Sequence, residues 1–164
     1  MTVTVSDRIE KKIVLKAPLA RVWRAISDAG EFGEWFGLEF DRGFAVGASV
    51  RGTIVGTTVD PEVGKMQQQH AGTAFDIKVE RIEPQRAFAF RWHPFAMGDG
   101  DYSKEPMTLV TFALEPQDEG VLLTVTESGF DQIPLERRAQ AFTANEGGWS
   151  IMVGVIGKYV ARSA

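Results

Sequence analysis

The chain has 164 residues, a net charge of −4, 44% hydrophobic and 24% charged residues, the size and balance of one soluble globular domain with apolar side chains enough for a core. The acidic balance excludes the basic face that nucleic acid or an anionic membrane requires. With no cysteine, disulfides, thiolate metal sites and cysteine-held iron–sulfur clusters are excluded too.

Met1 to Lys12 is polar and lacks an apolar core of signal-peptide length, and no later run reaches transmembrane length. The expectation is a single cytoplasmic domain over residues 1–164. A first strand spans Arg8 to Lys16, with Ile9, Ile13 and Leu15 alternating against Arg8, Glu10, Lys12, Val14 and Lys16. Lys11 breaks the inward row, which puts it near the exposed start of the strand. Pro18 suits a first helical position, and Leu19, Val22, Trp23 and Ile26 give that helix an apolar stripe. Asp28 can cap a second short helix carrying Phe32, Trp35 and Phe36, which Gly37 ends.

Gly43 to Gly56 should hold one or two strands, Val50 to Thr57 the firmer. Asp60-Pro61 to Gly72 is the least regular segment, and its polar Gln67-Gln68-Gln69-His70 run reads as a surface loop. Four more strands follow as two hairpin-like pairs. Phe75, Ile77 and Val79 alternate in the first, and Phe88, Phe90 and Trp92 in the second, across a turn at Glu83-Pro84-Gln85. Pro94 to Pro106 is a longer loop. Val110, Phe112 and Leu114 alternate next, Pro116 to Gly120 turns the chain, and Leu123, Val125 and Glu127 share one face of the last strand. A long helix starts after Pro134, with Phe142, Trp149, Met152, Val153, Ile156 and Val160 along one stripe. Gly147 and Gly148 inside it cost roughly 1 kcal/mol each against alanine. They imply a backbone brought close to a sheet or a ligand, and close packing on the sheet is the simpler reading.

An antiparallel sheet with one apolar face must cover it once. Six or seven strands twist and curve, and one helix laid across them covers the centre without filling the hollow. The gap is either packed by the 11 phenylalanines and 4 tryptophans or left as a pocket.

Among the chemical residues Glu127 stands out, because an inward carboxylate must find partners or a proton. It reads as a polar anchor or general acid/base at a pocket end. The simpler alternative is a strand-end carboxylate reaching water or a loop amide. Glu146 either pairs with Arg137 or Arg138 on its own helix or joins Glu127 in a carboxylate pair able to share a proton. His70 and His93 have no acidic residue at ligand spacing, so no metal is expected. Asp99 and Asp101 around Gly100 lack the further ligands of a calcium loop. No serine sits in a nucleophile elbow, no dinucleotide-binding glycine motif is present, and no cofactor is expected.

Five segments together resemble a known family. They are Ala17-Pro18 with Val22-Trp23; Phe32 to Trp35-Phe36; Val79-Glu80-Arg81-Ile82-Glu83-Pro84 leading to Phe90-Arg91-Trp92; Leu123 to Thr126 with Ser128-Gly129-Phe130; and Gly148-Trp149. Their order is similar to that of the START-like, birch-pollen-allergen-like (SRPBCC) superfamily, within it the group related to the C-terminal domain of the activator of Hsp90 ATPase. A paired-glycine turn common in that family reads here Ala45-Val46-Gly47-Ala48-Ser49. The resemblance implies an α+β helix-grip fold: a curved antiparallel sheet of about six or seven strands around a long C-terminal helix, with two short helices after the first strand. It also implies a cavity between that helix and the sheet, and, through the chaperone-linked relatives, a place in stress response. It implies no single function, since the fold hosts carriers, receptors, cyclases and co-chaperone domains.

The leading expectation is binding of a small hydrophobic or amphipathic molecule. Trp35, Phe36, Phe75, Phe90, Trp92, Phe112, Trp149, Met152 and Val153 would supply contact area and Glu127 polarity. A co-chaperone-like interaction module is the first alternative, and an acid/base enzyme using Glu127 and Glu146 on an apolar substrate the second, with binding favoured over catalysis. A homodimer through a sheet edge or the exposed loops and a chaperone partner accompany these readings; nucleic acid and membrane do not.

Overall fold

The computed structural model describes residues 8–94 and 104–162; the Asp99–Asp101 segment lies outside them. Strand β1 (Arg8–Leu15) is followed by helices α1 (Leu19–Ser27) and α2 (Ala29–Phe36), then strands β2 (Leu38–Phe40) and β3 (Ser49–Ile54). Helix α3 (Pro61–Gln67) precedes strands β4 (Ala74–Glu83), β5 (Ala87–Trp92), β6 (Thr108–Gln117) and β7 (Gly120–Ser128), and helix α4 (Leu135–Arg162) closes the series. The strands form one antiparallel sheet in the order β1-β7-β6-β5-β4-β3-β2. This is the expected helix-grip architecture, with seven strands and two short helices after the first. A register shift between Val79 and Arg81, where β4 meets β5, adds local bend to the sheet.

The capping chemistry reads from the sequence. Asp28 accepts from the Glu31 amide at 2.9 Å and starts α2, and Gly37 ends it at φ 92, a conformation that costs a Cβ-bearing residue energy. Pro18 is the cap of α1 rather than its first residue, a one-residue difference. The Trp35 indole N–H donates to the Ala25 carbonyl at 2.8 Å and locks α2 onto α1.

Three local expectations are corrected. Residues 61–67 are helical: Pro61 takes the first turn, and the Asp60 carboxylate accepts from the Glu62 and Val63 amides at 3.1 and 3.3 Å. The polar run that suggested a loop is the end of α3 and a single 3-10 turn, Gln68–His70. Pro116 belongs to β6, not to the turn, and pairs with Val121. Gly120 makes the tight reversal there at φ 151, where a Cβ would lie 2.1 Å from the Leu15 carbonyl oxygen. Lys11 lies within β1, half-buried, and its ammonium reaches the Glu146 carboxylate at 2.6 Å.

The core lies between the concave sheet face, α4, and the α1–α2 pair. Val121, Leu123, Val125 and Glu127 form the buried row of β7, and Val155, Ile156 and Val160 meet the core from α4. Phe32 is the hub of an aromatic cluster, with ring centroids 4.8 Å from Trp35 and 5.6 Å from Phe112. At the far end of α4, Arg21 is buried, 2.6 Å from Glu31, with its guanidinium 4.7 Å over the Tyr159 ring. The Tyr159 hydroxyl lies 3.1 Å from Glu31 and 3.2 Å from Glu34. Burial pushes this phenol up to about 12, against the opposing bond from Arg21 and with help from the Glu31 carboxylate.

Candidate functional site

Strand alternation turns Glu127 inward, and the tertiary structure surrounds it with hydrogens. It has no exposed surface. Trp92 and Thr108 face each other across β5 and β6; the Trp92 indole N–H donates to Glu127 at 2.8 Å and the Thr108 hydroxyl at 2.5 Å. From α4, Trp149 donates its indole N–H at 2.8 Å. The Asn145 amide nitrogen donates to both carboxylate oxygens, at 3.0 and 3.1 Å. Asn145 and Trp149 are four residues apart, one above the other on the same helix face. A buried carboxylate is tolerated only when so satisfied. Glu127 is therefore not the water-facing strand-end residue that the simpler reading expected. It ties β5, β6, β7 and α4 together.

The two indoles that Glu127 holds are stacked on one another, centroids 5.8 Å apart and 30° between planes. On their other side is a cavity of about 530 Å³, a volume typical of small-molecule sites. The Asn145–Met152 stretch of α4 and Trp92 form one side. Phe36 of α2, Leu38 of β2, Ile54 of β3 and Phe75 of β4 form another, and Val63 and Met66 of α3 cover the third. Met66 and Ile151 are 54% and 39% exposed and mark the open side. Helix α3 is anchored as a cover. The Gln67 side chain accepts from the Thr57 amide at 2.8 Å and donates to the Phe36 carbonyl at 2.7 Å. The Lys158 ammonium lies 2.6 Å from Asp60 and, with the Val63 amide, holds that carboxyl below its usual range.

Of the residues expected to contact a ligand, Phe36, Phe75, Trp92, Trp149 and Met152 line this cavity. Trp35, Phe90 and Phe112 are buried in the aromatic cluster behind it, Val153 is half-buried beside the core, and Glu127 is sealed behind the two indoles. Glu146 does not pair with Arg137 or Arg138. Its carboxylate goes to Lys11, whereas Arg137 binds Glu105 at 2.8 Å and Arg138 binds the Asp131 and Ile133 carbonyls. Glu127 and Glu146 thus have separate partners and share no hydrogen bond.

The glycine pair also differs from its expected packing role. A Cβ at Gly147 or Gly148 would meet nothing within 4 Å, and both residues line the cavity. Sequence reasoning missed Asn145, which was signalled only by its spacing to Trp149, and the α3 wall, whose signal was the Asp60-Pro61-Glu62 cap. His70 and His93, read from the sequence only as lacking metal-ligand spacing, both line the cavity. No group of three metal-ligating side chains occurs among the described residues, and no helix among them is long and apolar enough to cross a membrane.

The profile of the family described as activator of Hsp90 ATPase homolog 1-like protein matches residues 16–161. No curated protein matches the sequence. Among solved structures, DynU16, a protein of the dynemicin biosynthetic locus, is similar at 25% identity and TM-score 0.66 over 96% of this chain. This chain spans only 48% of DynU16. MLL2253 from Mesorhizobium loti is similar at 20% identity and TM-score 0.70, covering 96% of this chain and 98% of that one. The Aha1 dimer from Colwellia psychrerythraea is similar at 14% identity and TM-score 0.65, covering 93% and 95%. The last two likenesses show the fold.

Proposed function

The chain belongs to the activator of Hsp90 ATPase homolog 1-like family, and from that premise we propose that it binds a small hydrophobic or amphipathic molecule in the cavity between α4, α3 and the sheet. The observation that carries this reading is the glycine pair. Two residues that weaken a helix by about 1 kcal/mol each stand where no neighbouring atom requires them, and what they leave open is cavity. Apolar walls supply the driving force through burial, at about 25 cal/mol per Å² before the costs of association. Glu127 serves here by fixing the wall, since its oxygens are occupied by donors from Trp92, Thr108, Asn145 and Trp149. Proton transfer to a ligand would require it to leave them.

The test is titration with N-phenyl-1-naphthylamine, a neutral dye that brightens in apolar surroundings. Wild-type protein should bind it saturably. Gly148→Leu, which fills the open space, should weaken binding at least tenfold while the melting temperature holds or rises. Equal binding by the two proteins, or none by wild type, would sink the reading.

A further inference from the structure

The polar groups of the cavity wall are almost all engaged. The indole N–H groups of Trp92 and Trp149 are given to Glu127. Both ends of the Gln67 amide are given to backbone, and one ring nitrogen of His93 lies 3.0 Å from the Glu105 carbonyl. Besides the water-exposed His70 imidazole and the second ring nitrogen of His93, the exception among the described residues is Asn145. Its nitrogen serves both oxygens of Glu127, and its carbonyl oxygen has no hydrogen-bond partner among the described residues.

A side-chain amide can face a carboxylate only with its NH₂. Glu127 therefore decides which way the amide is turned and leaves the oxygen as the free end of a residue that lines the cavity. We propose that Asn145 is a specificity-determining residue, whose carbonyl oxygen accepts a hydrogen bond from a hydroxyl on an otherwise apolar, uncharged ligand. This rests on the cavity reading above.

The charge around the site points the same way. Among the described residues no lysine or arginine lines the cavity, and the buried Glu127 stands one hydrogen bond behind the Asn145 amide, so an anionic head group would meet a negative charge with no lysine or arginine beside it. Of the two imidazoles in the wall, His70 is exposed to water. A ligand that has only an acceptor, such as an ether, would face the Asn145 oxygen lone pair to lone pair. A site built around a hydrogen-bonding partner rejects analogues that lack the matching hydrogen, because its own polar group is then left unpaired.

The experiment uses three probes with one ring system: 2-naphthol, 2-methoxynaphthalene and 2-naphthoate, titrated calorimetrically into the wild-type protein, Asn145→Leu and Glu127→Gln. Naphthol should bind wild type at least tenfold more tightly than the ether or the carboxylate. Asn145→Leu should erase the preference over the ether. Glu127→Gln, which no longer dictates the orientation of the amide, should reduce it. Ether or carboxylate binding as tight as naphthol in wild type would overturn the inference while leaving the cavity reading in place, and that comparison needs no variant to fold. Failure of all three probes on a protein that still binds N-phenyl-1-naphthylamine would overturn the inference alone, and failure of the dye as well would remove both.

Discussion

Four side chains on three elements, β5, β6 and α4, give hydrogens to Glu127, so its removal strands all of them in the interior. Glu127→Ala should cost about 3–5 kcal/mol, as breaking a buried charged network does. Glu127→Gln, of the same size, should cost less, about 1–3 kcal/mol, because it still accepts at one position. Guanidinium unfolding followed by tryptophan fluorescence measures both, and equal costs for the two would show that the carboxylate's charge and second acceptor, not the space it fills, carry the whole effect. A second residue-scale outcome concerns Tyr159. Its phenol is raised from the ordinary 10 to about 12. Between these values the unfolded chain gives up the proton while the folded protein keeps it, so stability falls as pH climbs from about 10 and levels off beyond 12. Absorbance titration at 295 nm should show a tyrosine step near 12 that Tyr159→Phe removes, and that variant should lose this part of the alkaline decline. The inward direction of Glu127 was legible because strand alternation has a period of two. Its donors were not, since two of them lie on α4, and no local pattern states the register of a helix over a sheet.

At the scale of elements, α4 holds glycines at positions with free space. Gly147→Ala and Gly148→Ala should each stabilise the protein by about 1 kcal/mol, or about 2–4 °C in melting temperature for a chain of this length. Both should cost affinity for a cavity ligand. Scanning calorimetry beside dye titration reads the two together, and a fall in melting temperature would mean that these glycines are needed for packing after all. The glycines were conspicuous in the sequence but their reason was not, because the same pair serves a crowded backbone and an empty space equally well. Helix α3 shows the opposite case. Its cap, Asp60-Pro61, was present in plain sight, yet the glutamine run behind it outweighed the signal. With only Val63 and Met66 as apolar residues in a seven-residue helix, there is too little periodicity to read. What holds α3 in place is tertiary: Gln67 bonded to two backbone groups, and Asp60 to Lys158.

At the scale of the molecule, the order of strands and helices sufficed for the architecture, because clean alternation in β4 to β7 leaves an antiparallel sheet with one face to cover. The place of the cavity did not follow from it. Trp35, Phe90 and Phe112 carry the same apolar signature as Phe36, Phe75 and Trp92, and only the docking of α2 and α3 sorts them into core and wall. A bound molecule should act on the whole fold. At one hundred times its dissociation constant it adds about 2.7 kcal/mol, or roughly 5–10 °C in melting temperature. Native mass spectrometry of freshly purified protein, compared with the same sample after unfolding and refolding, would reveal such a passenger, and loss of the added mass should bring that drop in melting temperature. One last property follows from the pairing of β1 with β7, whose partnered residues stand more than a hundred positions apart. On the ribosome β1 is made more than a hundred residues before the strand beside it and the helix that covers it. The nascent chain must carry an unsatisfied strand while those hundred or so residues are translated, so slowing elongation should prolong its exposure to proteases and to neighbouring nascent chains.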